Sequence, residues 1–344
     1  MAAKKAAVRY IIYGAGAIGS IVGGHLHRTG ARVALVGARA HVRAMQRKGL
    51  TLRTHDDDFC LRVRATVRVA DLAPFRPDDV VLLCAKSQQT LRCLSQLRAA
   101  GAPRSLPVFC CQNSFLNEPQ ATLFFDRVYG VAVYVDGIFV HPGEALHATG
   151  RRHGHLELGR YPSGVDPLCR RVARDLRAAG FSVRTSPDVM RTKRAKFVLN
   201  MANAVIAITN QPAQAAPVVR KLRAEAERVL KGSGLTCEPW SDFHRRAEAA
   251  CGPLQPPAGT AVVGLVPDST WQSLYRRTGN VETPYFNGVV VHLGERLGIP
   301  TPGNTLVAGL VAAMAARGER PGKYTVGALW RKLAGGRTTT ARSG

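Results

Sequence analysis

Long apolar runs are missing from this 344-residue chain, and none approaches the roughly 20 residues a bilayer span needs, which excludes a helical membrane protein. The start, Met1 to Lys5, lacks the apolar core and small-residue cleavage site of a secretory leader, so a cytoplasmic location is expected. The eight cysteines (60, 84, 93, 110, 111, 169, 237, 251) include no CxxC pair and read as reduced, mostly buried thiols. The tightest histidine pair, His153-x-His155, has no Cys or carboxylate at ligand spacing, so no metal site is expected.

Negative charge is also scarce: 23 Asp+Glu against 48 Lys+Arg leave +25. Only ten of those 48 are lysines, the arginines are scattered, and no basic block carries interleaved aromatics. The expectation is a solvated basic surface that attracts small anions, with no specific nucleic-acid site. An apolar content of 46% with 21% charged residues is ordinary for a globular protein, and the length suggests two domains.

What is present begins with a β-type run, Val8 to Tyr13, then Gly-Ala-Gly-Ala-Ile-Gly (14–19), a helical pattern to about Arg28 and a second strand, Val33 to Val36. Strand, glycine turn, helix and strand within about 30 residues form the dinucleotide-binding context of GxGxxG. Gly14, Ala15, Gly16, Ala17, Ile18 and Gly19 are therefore the candidate pyrophosphate cradle, on backbone N–H groups at a helix start. A site for NAD puts a carboxylate about 20 residues on, yet none occurs from Met1 to His55. Arg39, with Arg43 a helical turn later, follows the second strand instead, and guanidinium donors there suit a 2′-phosphate, so NADPH is the expected cofactor.

The α/β rhythm continues with strands Val80 to Cys84, Pro107 to Cys111, Val128 to Val135, Ile138 to His141, His155 to Leu158 and Phe181 to Arg184, and with helices Ser87 to Leu97 and Val165 to Ala178. Lys86 and Gln112-Asn113 stand just past strand ends, where open parallel sheets bind ligands. From Pro187 the pattern turns helical: Met190–Ile208, Ala216–Lys231, Phe243–Ala250, Tyr285–Leu297 and Asn304–Ala316, with a loop over Cys251–Thr260. The expected architecture is a Rossmann-type doubly wound α/β domain over 1–186, an all-α domain over 187–330 and a flexible tail over 331–344, with the active site in the cleft between the domains.

A nicotinamide enzyme reducing a carbonyl supplies a proton as the alkoxide forms. Lys196, Asn200 and Asn203 share one helix face, since i and i+7 differ by only about 20°; a solvated polar helix edge fits the same spacing. Ser269 stands at the start of a short helix, where an N-cap role is equally open, and Glu282 precedes Thr283-Pro284, where a helix dipole also favours a carboxylate.

Taken together, GAGAIG (14–19), AKSQQT (85–90), CQN (111–113), KFVLN (196–200), STWQSL (269–274), VETPYFNG (281–288) and GIPTPGN (298–304) resemble the ketopantoate (2-dehydropantoate) reductases from Tyr10 to about Met314. The resemblance implies an NADPH-dependent reductase of a branched 2-oxo acid. It implies Gly14, Gly16 and Gly19 at the pyrophosphate, Lys86 and Asn113 near the reacting centre, and Lys196 as general acid. Asn200 and Ser269 would bind substrate, with Asn203 beside the family's second asparagine position, and Glu282 would orient the substrate hydroxyl or Lys196. The chain departs from the pattern at Ala204 (a second Asn in the family), Ser114 (Gly), Pro284 (Asp), Thr270 (Ser, with Ser269 adjacent) and Ala38 (Arg, with Arg39 adjacent). Expected partners are a small 2-oxo acid and a second copy of the chain in a homodimer, with no membrane and no specific nucleic acid. Reduction of another oxo acid, an imine or a biosynthetic intermediate, and a non-catalytic NADPH-binding role, are the alternatives.

Overall fold

Residues 8–139, 141–253, 255–257, 268–277 and 279–335 are described by the computed structural model of this chain. Its strands are β1 (Arg9–Tyr13), β2 (Arg32–Val36), β3 (Leu50–Arg53), β4 (Asp58–Leu61), β5 (Arg64–Thr66), β6 (Asp79–Leu83), β7 (Val108–Cys110), β8 (Val128–Tyr134), β9 (Asp136–Ile138), β10 (Glu144–Ala148), β11 (His155–Arg160) and β12 (Ser182–Thr185). Its helices are α1 (Ala17–Arg28), α2 (Arg39–Lys48), α3 (Thr90–Ala99), α4 (Asn117–Thr122), α5 (Pro167–Ala178), α6 (Val189–Leu199), α7 (Met201–Ile208), α8 (Ala216–Gly232), α9 (Trp240–Cys251), α10 (Ser269–Tyr275), α11 (Asn287–Leu297), α12 (Pro302–Ala316) and α13 (Val326–Gly335). None of the described helices is long and apolar enough to cross a membrane.

Eight strands form one sheet in the order β12-β11-β8-β7-β6-β1-β2-β5, parallel throughout except where β11 meets β8. Tyr10 and Ile12 of β1 enter one apolar core and Ile11 and Tyr13 the other, so the sheet is covered on both faces. That double burial is why β1, β2 and β6 read as unbroken apolar runs rather than as alternating ones. The chain leaves β1 toward β2 on one side and returns through β6 on the other. The crevice for a ligand in such a sheet lies at the carboxyl ends of β1 and β6. At the opposite end, the buried guanidinium of Arg9 pairs with Asp79 at 2.5 Å and ties the starts of β1 and β6 together.

A smaller sheet, β4-β3-β10-β9, was not legible in the sequence, because its strands are three to five residues long and only partly apolar. The strand expected at 138–141 lies instead over Asp136–Ile138, and Val140 is outside the described residues.

The chain divides into two units, each considered by itself. One runs to Lys193 and takes back the segment that begins at Asp242; the other holds Arg194–Ser241 and the described residues from Asp268 onward. The expected border at 186/187 therefore moves to 193/194. The return of α9 has a physical cause: Phe243 is fully buried against the Tyr134 ring, and Arg246 donates at 2.9 Å to the buried carboxylate of Glu157. The single helix expected over Met190–Ile208 is broken at Asn200. There the Leu199 carbonyl accepts from Arg223 of α8 at 3.0 Å, and the Asn203 amide turns back to the Asn200 carbonyl at 3.0 Å. Residues 331–335 of the expected tail complete α13, and the remainder lies outside the described residues.

In the second unit, the buried Glu225 of α8 accepts from the Gly303 and Asn304 amides at 3.0 and 2.9 Å, capping α12. Asn304 in turn receives the Asn287 side chain at 2.9 Å, so α8, α11 and α12 are joined through one carboxylate.

Candidate active site

The turn after β1 is built by its glycines. Gly14 has φ +109°, and a Cβ there would lie 2.2 Å from the Ala85 amide nitrogen, so only glycine lets β1 and β6 close at this point. A Cβ on Gly19 would lie 2.2 Å from the Gly14 carbonyl oxygen. Gly16 differs: nothing stands within 4 Å of where its Cβ would be. Its missing side chain leaves open space beside the start of α1, whose first N–H groups have no acceptor within the helix and no acidic residue in the first turn. That arrangement fits a pyrophosphate, since helix N-termini attract phosphate oxygens.

Arg39 is the first residue of α2, exposed, and forms no ion pair or hydrogen bond among the described residues. Gly37 packs against the glycine turn, where its Cβ would lie 2.9 Å from the Ala15 Cβ, so the loop that presents Arg39 adjoins that turn. Lys86 directly follows Ala85 and precedes a 3₁₀ turn, Ser87–Gln89.

Asn113 sits past the end of β7, in a segment held at several atoms. Its carbonyl accepts from Ser87 Oγ at 3.1 Å and from Asn117 Nδ2 at 2.8 Å. Gln112 Nε2 donates to Thr90 Oγ1 at 2.6 Å, which donates to Asn117 Oδ1 at 2.9 Å. The Asn113 Oδ1 and Ser114 Oγ atoms are buried and have no hydrogen-bond partner among the described residues, as expected of groups awaiting a ligand. Ser114 holds φ +72°, the left-handed region that glycine occupies without strain.

Sequence reasoning missed one residue here. Lys193 of α6 is 2% exposed at its side chain; it pairs with the buried Glu118 and donates to the Cys110 and Gln112 carbonyls at 3.0 Å each. A lysine in a helical run reads as surface, and only the fold shows where it ends.

In the second unit, Lys196 is half-buried on α6, Asn200 is buried at the helix break, and Asn203 is half-buried on α7. Phe197 and Val198 are buried in the core, and Leu199 is half-buried. Phe197 stacks on Phe286, centroids 6.1 Å apart, and Asn287 Nδ2 contacts Met201 Sδ at 3.8 Å. The segment carrying Glu282 thus packs on the helices carrying Lys196 and Asn200. Glu282 is buried and opens the 3₁₀ turn Thr283–Tyr285, its carbonyl accepting from Tyr285 at 2.8 Å. The helix of Ser269, α10, packs on α7. Its N-cap is Asp268, which accepts from the Thr270 and Trp271 amides at 2.7 and 2.9 Å. Ser269 is thereby relieved of capping; its Oγ, like Thr283 Oγ1, is buried with no partner among the described residues. Ala204 and Thr270 are buried at 2% exposure each.

The histidines group differently from the pair the spacing singled out. His155 faces Ser182 and Glu157, while His153 stacks on His25, centroids 3.7 Å apart, beside His147. Nitrogens of His25, His147 and His153 lie within 4.8 Å of one another. Their hydrogen bonds set the protons. Arg28 is within 3.3 Å of His25 Nδ1 and can only donate, so His25 Nε2–H donates to His147 Nδ1 at 3.1 Å, and His147 Nε2–H to the His153 carbonyl at 3.0 Å. Burial holds His147 and His153 neutral, pushing them down to about 3 and about 4. The trio is a neutral relay that starts at the Arg28 guanidinium and ends on the His153 carbonyl. All eight cysteines are free thiols, five of them buried.

Residues 10–163 match the family model described as ketopantoate reductase PanE/ApbA, and residues 188–315 match that of its C-terminal region. The 2-dehydropantoate 2-reductase of Pyrococcus abyssi is 26% identical over 317 residues, covering 88% of this chain and 97% of that protein. That of Aquifex aeolicus is 22% identical, covering 89% and 96%. Among solved structures, a PanE/ApbA family ketopantoate reductase from Ralstonia eutropha superposes with TM-score 0.73 at 28% identity, covering 90% of this chain and 99% of that one. A D-mandelate dehydrogenase in complex with NADH and anilino(oxo)acetate shares the fold, with TM-score 0.76 at 20% identity, covering 90% and 99%. With a glycine-cradled nucleotide fold in the first unit, a helical second unit and both family models matched in order, this chain belongs to the ketopantoate reductase family and is a nicotinamide-dependent oxidoreductase.

Proposed function

We propose that the chain reduces a 2-oxo acid, ketopantoate to pantoate, with NADPH as reductant and Lys196 as general acid. The observation that carries this reading is the grouping in the second unit. Lys196 on α6, Asn200 at the break and Asn203 on α7 follow one another, and the segments of Ser269 and Glu282 pack against those helices. The buried, partnerless Ser269 and Thr283 hydroxyls there suit a polar ligand.

The nicotinamide, when bound, supplies a hydride to the carbonyl carbon. Every other part of the reaction falls to the chain. The Lys196 ammonium donates to the carbonyl oxygen as charge develops, passes it a proton and is recharged from solvent, so 2-oxo acid, hydride and proton become a 2-hydroxy acid. Asn200, Asn203 and Ser269 hold the substrate's carboxylate and hydroxyl, and Glu282 keeps Lys196 charged or accepts from the substrate hydroxyl. In the first unit, the Gly14–Gly19 turn receives the pyrophosphate, Arg39 the 2′-phosphate, and Lys86 and Asn113 the nicotinamide end.

Initial rates with ketopantoate, run with NADPH and with NADH, test the reading. Saturable turnover favouring NADPH is expected; NADPH binding without turnover would remove ketopantoate as substrate. One observation favours a second substrate: Ala204, small and buried, stands where the family carries a second asparagine. Lost amide contacts and added apolar space suit an aromatic 2-oxo acid, the class bound by the D-mandelate dehydrogenase that shares the fold. Phenylglyoxylate belongs in the same assay, and a higher kcat/KM than ketopantoate would select it. A homodimer is proposed as the working state, a relative from Staphylococcus aureus being described as dimeric; sedimentation velocity measures it.

A further inference from the structure

We infer that Lys193 is a positioning residue: it clamps the segment that presents Asn113 to the nicotinamide, from the helix that also carries Lys196. The inference rests on the cofactor reading above and adds a residue with no part in it.

Lys193 Nζ has three hydrogens and three acceptors, all of them from one stretch of chain. It donates to the Cys110 carbonyl at the end of β7, to the Gln112 carbonyl at 3.0 Å and to the Glu118 carboxylate on α4. The lysine and glutamate side chains are 2% and 0% exposed. An ion pair used only for stability has no need to reach backbone, and a buried pair is weak evidence for stability in any case. The two carbonyls bracket Cys111 and sit one and three residues before Asn113. They complete a set in which the carbonyls of residues 110, 112 and 113 are all engaged, the last by Ser87 and Asn117. Ser87 directly follows Lys86, so both nicotinamide-end candidates hang on the same network.

The geometry explains why the segment needs an outside hold. It contains Ser114 at φ +72°, a conformation that favours glycine, and it is followed by the short helix α4. Left to itself this stretch would relax; a fixed ammonium on a buried helix keeps the Asn113 amide aimed.

Three proteins test this: wild type, E118Q and K193M/E118Q. The last two both lack the ion pair, and only the double variant loses the carbonyl bonds; because E118Q alone keeps an unpaired buried ammonium, the Tm of each variant is measured beside the exchange. Two further quantities are read: amide hydrogen exchange over residues 108–118, and the Kd of NADPH and of NADH by fluorescence. Relative to E118Q, the double variant is expected to exchange faster over 108–118 and to lose at least ten-fold in affinity for both cofactors alike. The nicotinamide end is common to the two, so their ratio stays as in E118Q. Equal exchange, or equal affinity despite faster exchange, overturns the inference, as does a loss confined to NADPH. Wild type that binds neither cofactor overturns the cofactor reading itself, a result separate from any difference between the variants.

Discussion

The glycine turn makes a prediction in which three chemically identical substitutions separate by mechanism. Gly14→Ala forces a non-glycine residue to φ +109° with its Cβ 2.2 Å from the Ala85 nitrogen, and that neighbour is backbone just past the end of β6 and cannot rotate away as a side chain would. Left-handed strain of about 1–2 kcal/mol adds to overpacking of 1–3 kcal/mol, for a loss of roughly 2–5 kcal/mol. For a unit of this size Tm should fall by about 10 °C. Gly19→Ala, 2.2 Å from the Gly14 oxygen but within α1 at an ordinary φ, carries the overpacking loss alone. Gly16→Ala meets nothing within 4 Å and sits at φ −86°, which alanine adopts freely. Alanine is a poorer N-cap than glycine but loses less chain entropy, so the cofactor-free protein should change by no more than about 0.5 kcal/mol. Its added methyl occupies space a pyrophosphate needs to reach the N–H groups, and the Kd for NADPH should rise about 10–100-fold, or 1.4–2.7 kcal/mol. Differential scanning calorimetry without cofactor and fluorescence titration with it separate the two effects. A Gly16→Ala protein that melts as early as Gly14→Ala, or that binds NADPH as wild type does, would refute the assignment of the open space to a phosphate.

Three further outcomes are expected. Lys196→Ala should lower kcat by about 10²–10⁴, the usual worth of a placed general acid, while the NADPH Kd stays within about two-fold; unchanged kcat removes Lys196 from the chemistry. Arg39→Asp should weaken NADPH by ten-fold or more and NADH little, since it replaces a phosphate donor with a repelling carboxylate; an equal loss for both places 2′-phosphate recognition elsewhere. The His25–His147–His153 relay should make the fold acid-sensitive: His147, fully buried, is depressed to about 3, so its contribution is present above the unfolded value near 6.5 and fades as pH falls toward 3. The loss is roughly 3–5 kcal/mol for that residue, read as urea midpoints between pH 7 and 4. A flat profile there, or an unchanged one in His147→Gln, sinks the assignment.

The first unit was the more legible half. Val8–Tyr13, Val33–Val36 and Val80–Cys84 are buried on both faces, and a segment with no polar side to show is recognisable without knowing its neighbours. The glycine motif carried its own context, and the helices at Val165–Ala178 and Ala216–Lys231 reappear within two residues at each end as α5 and α8. Periodicity failed where another element decided the outcome. The pattern through Met190–Ile208 is helical throughout, yet Arg223 from α8 takes the Leu199 carbonyl and the helix breaks at Asn200, between Lys196 and Asn203.

What the sequence determined by itself is what neighbouring residues can encode: a glycine turn between a strand and a helix, the missing carboxylate before His55, and lysine and amides at helical spacing. Each is a contact or a rotation within a few residues, and local backbone geometry suffices to express it. Tertiary structure alone decided which groups lose water. Lys193 and Glu118 are 75 positions apart and Glu157 and Arg246 are 89 apart, and neither pair has a local signature. The same holds for His25, brought to His147 across 122 positions. A charge is cheap to leave in solvent and costly to bury unpaired, so these partners are set by the packing of whole elements, which no short window of sequence contains.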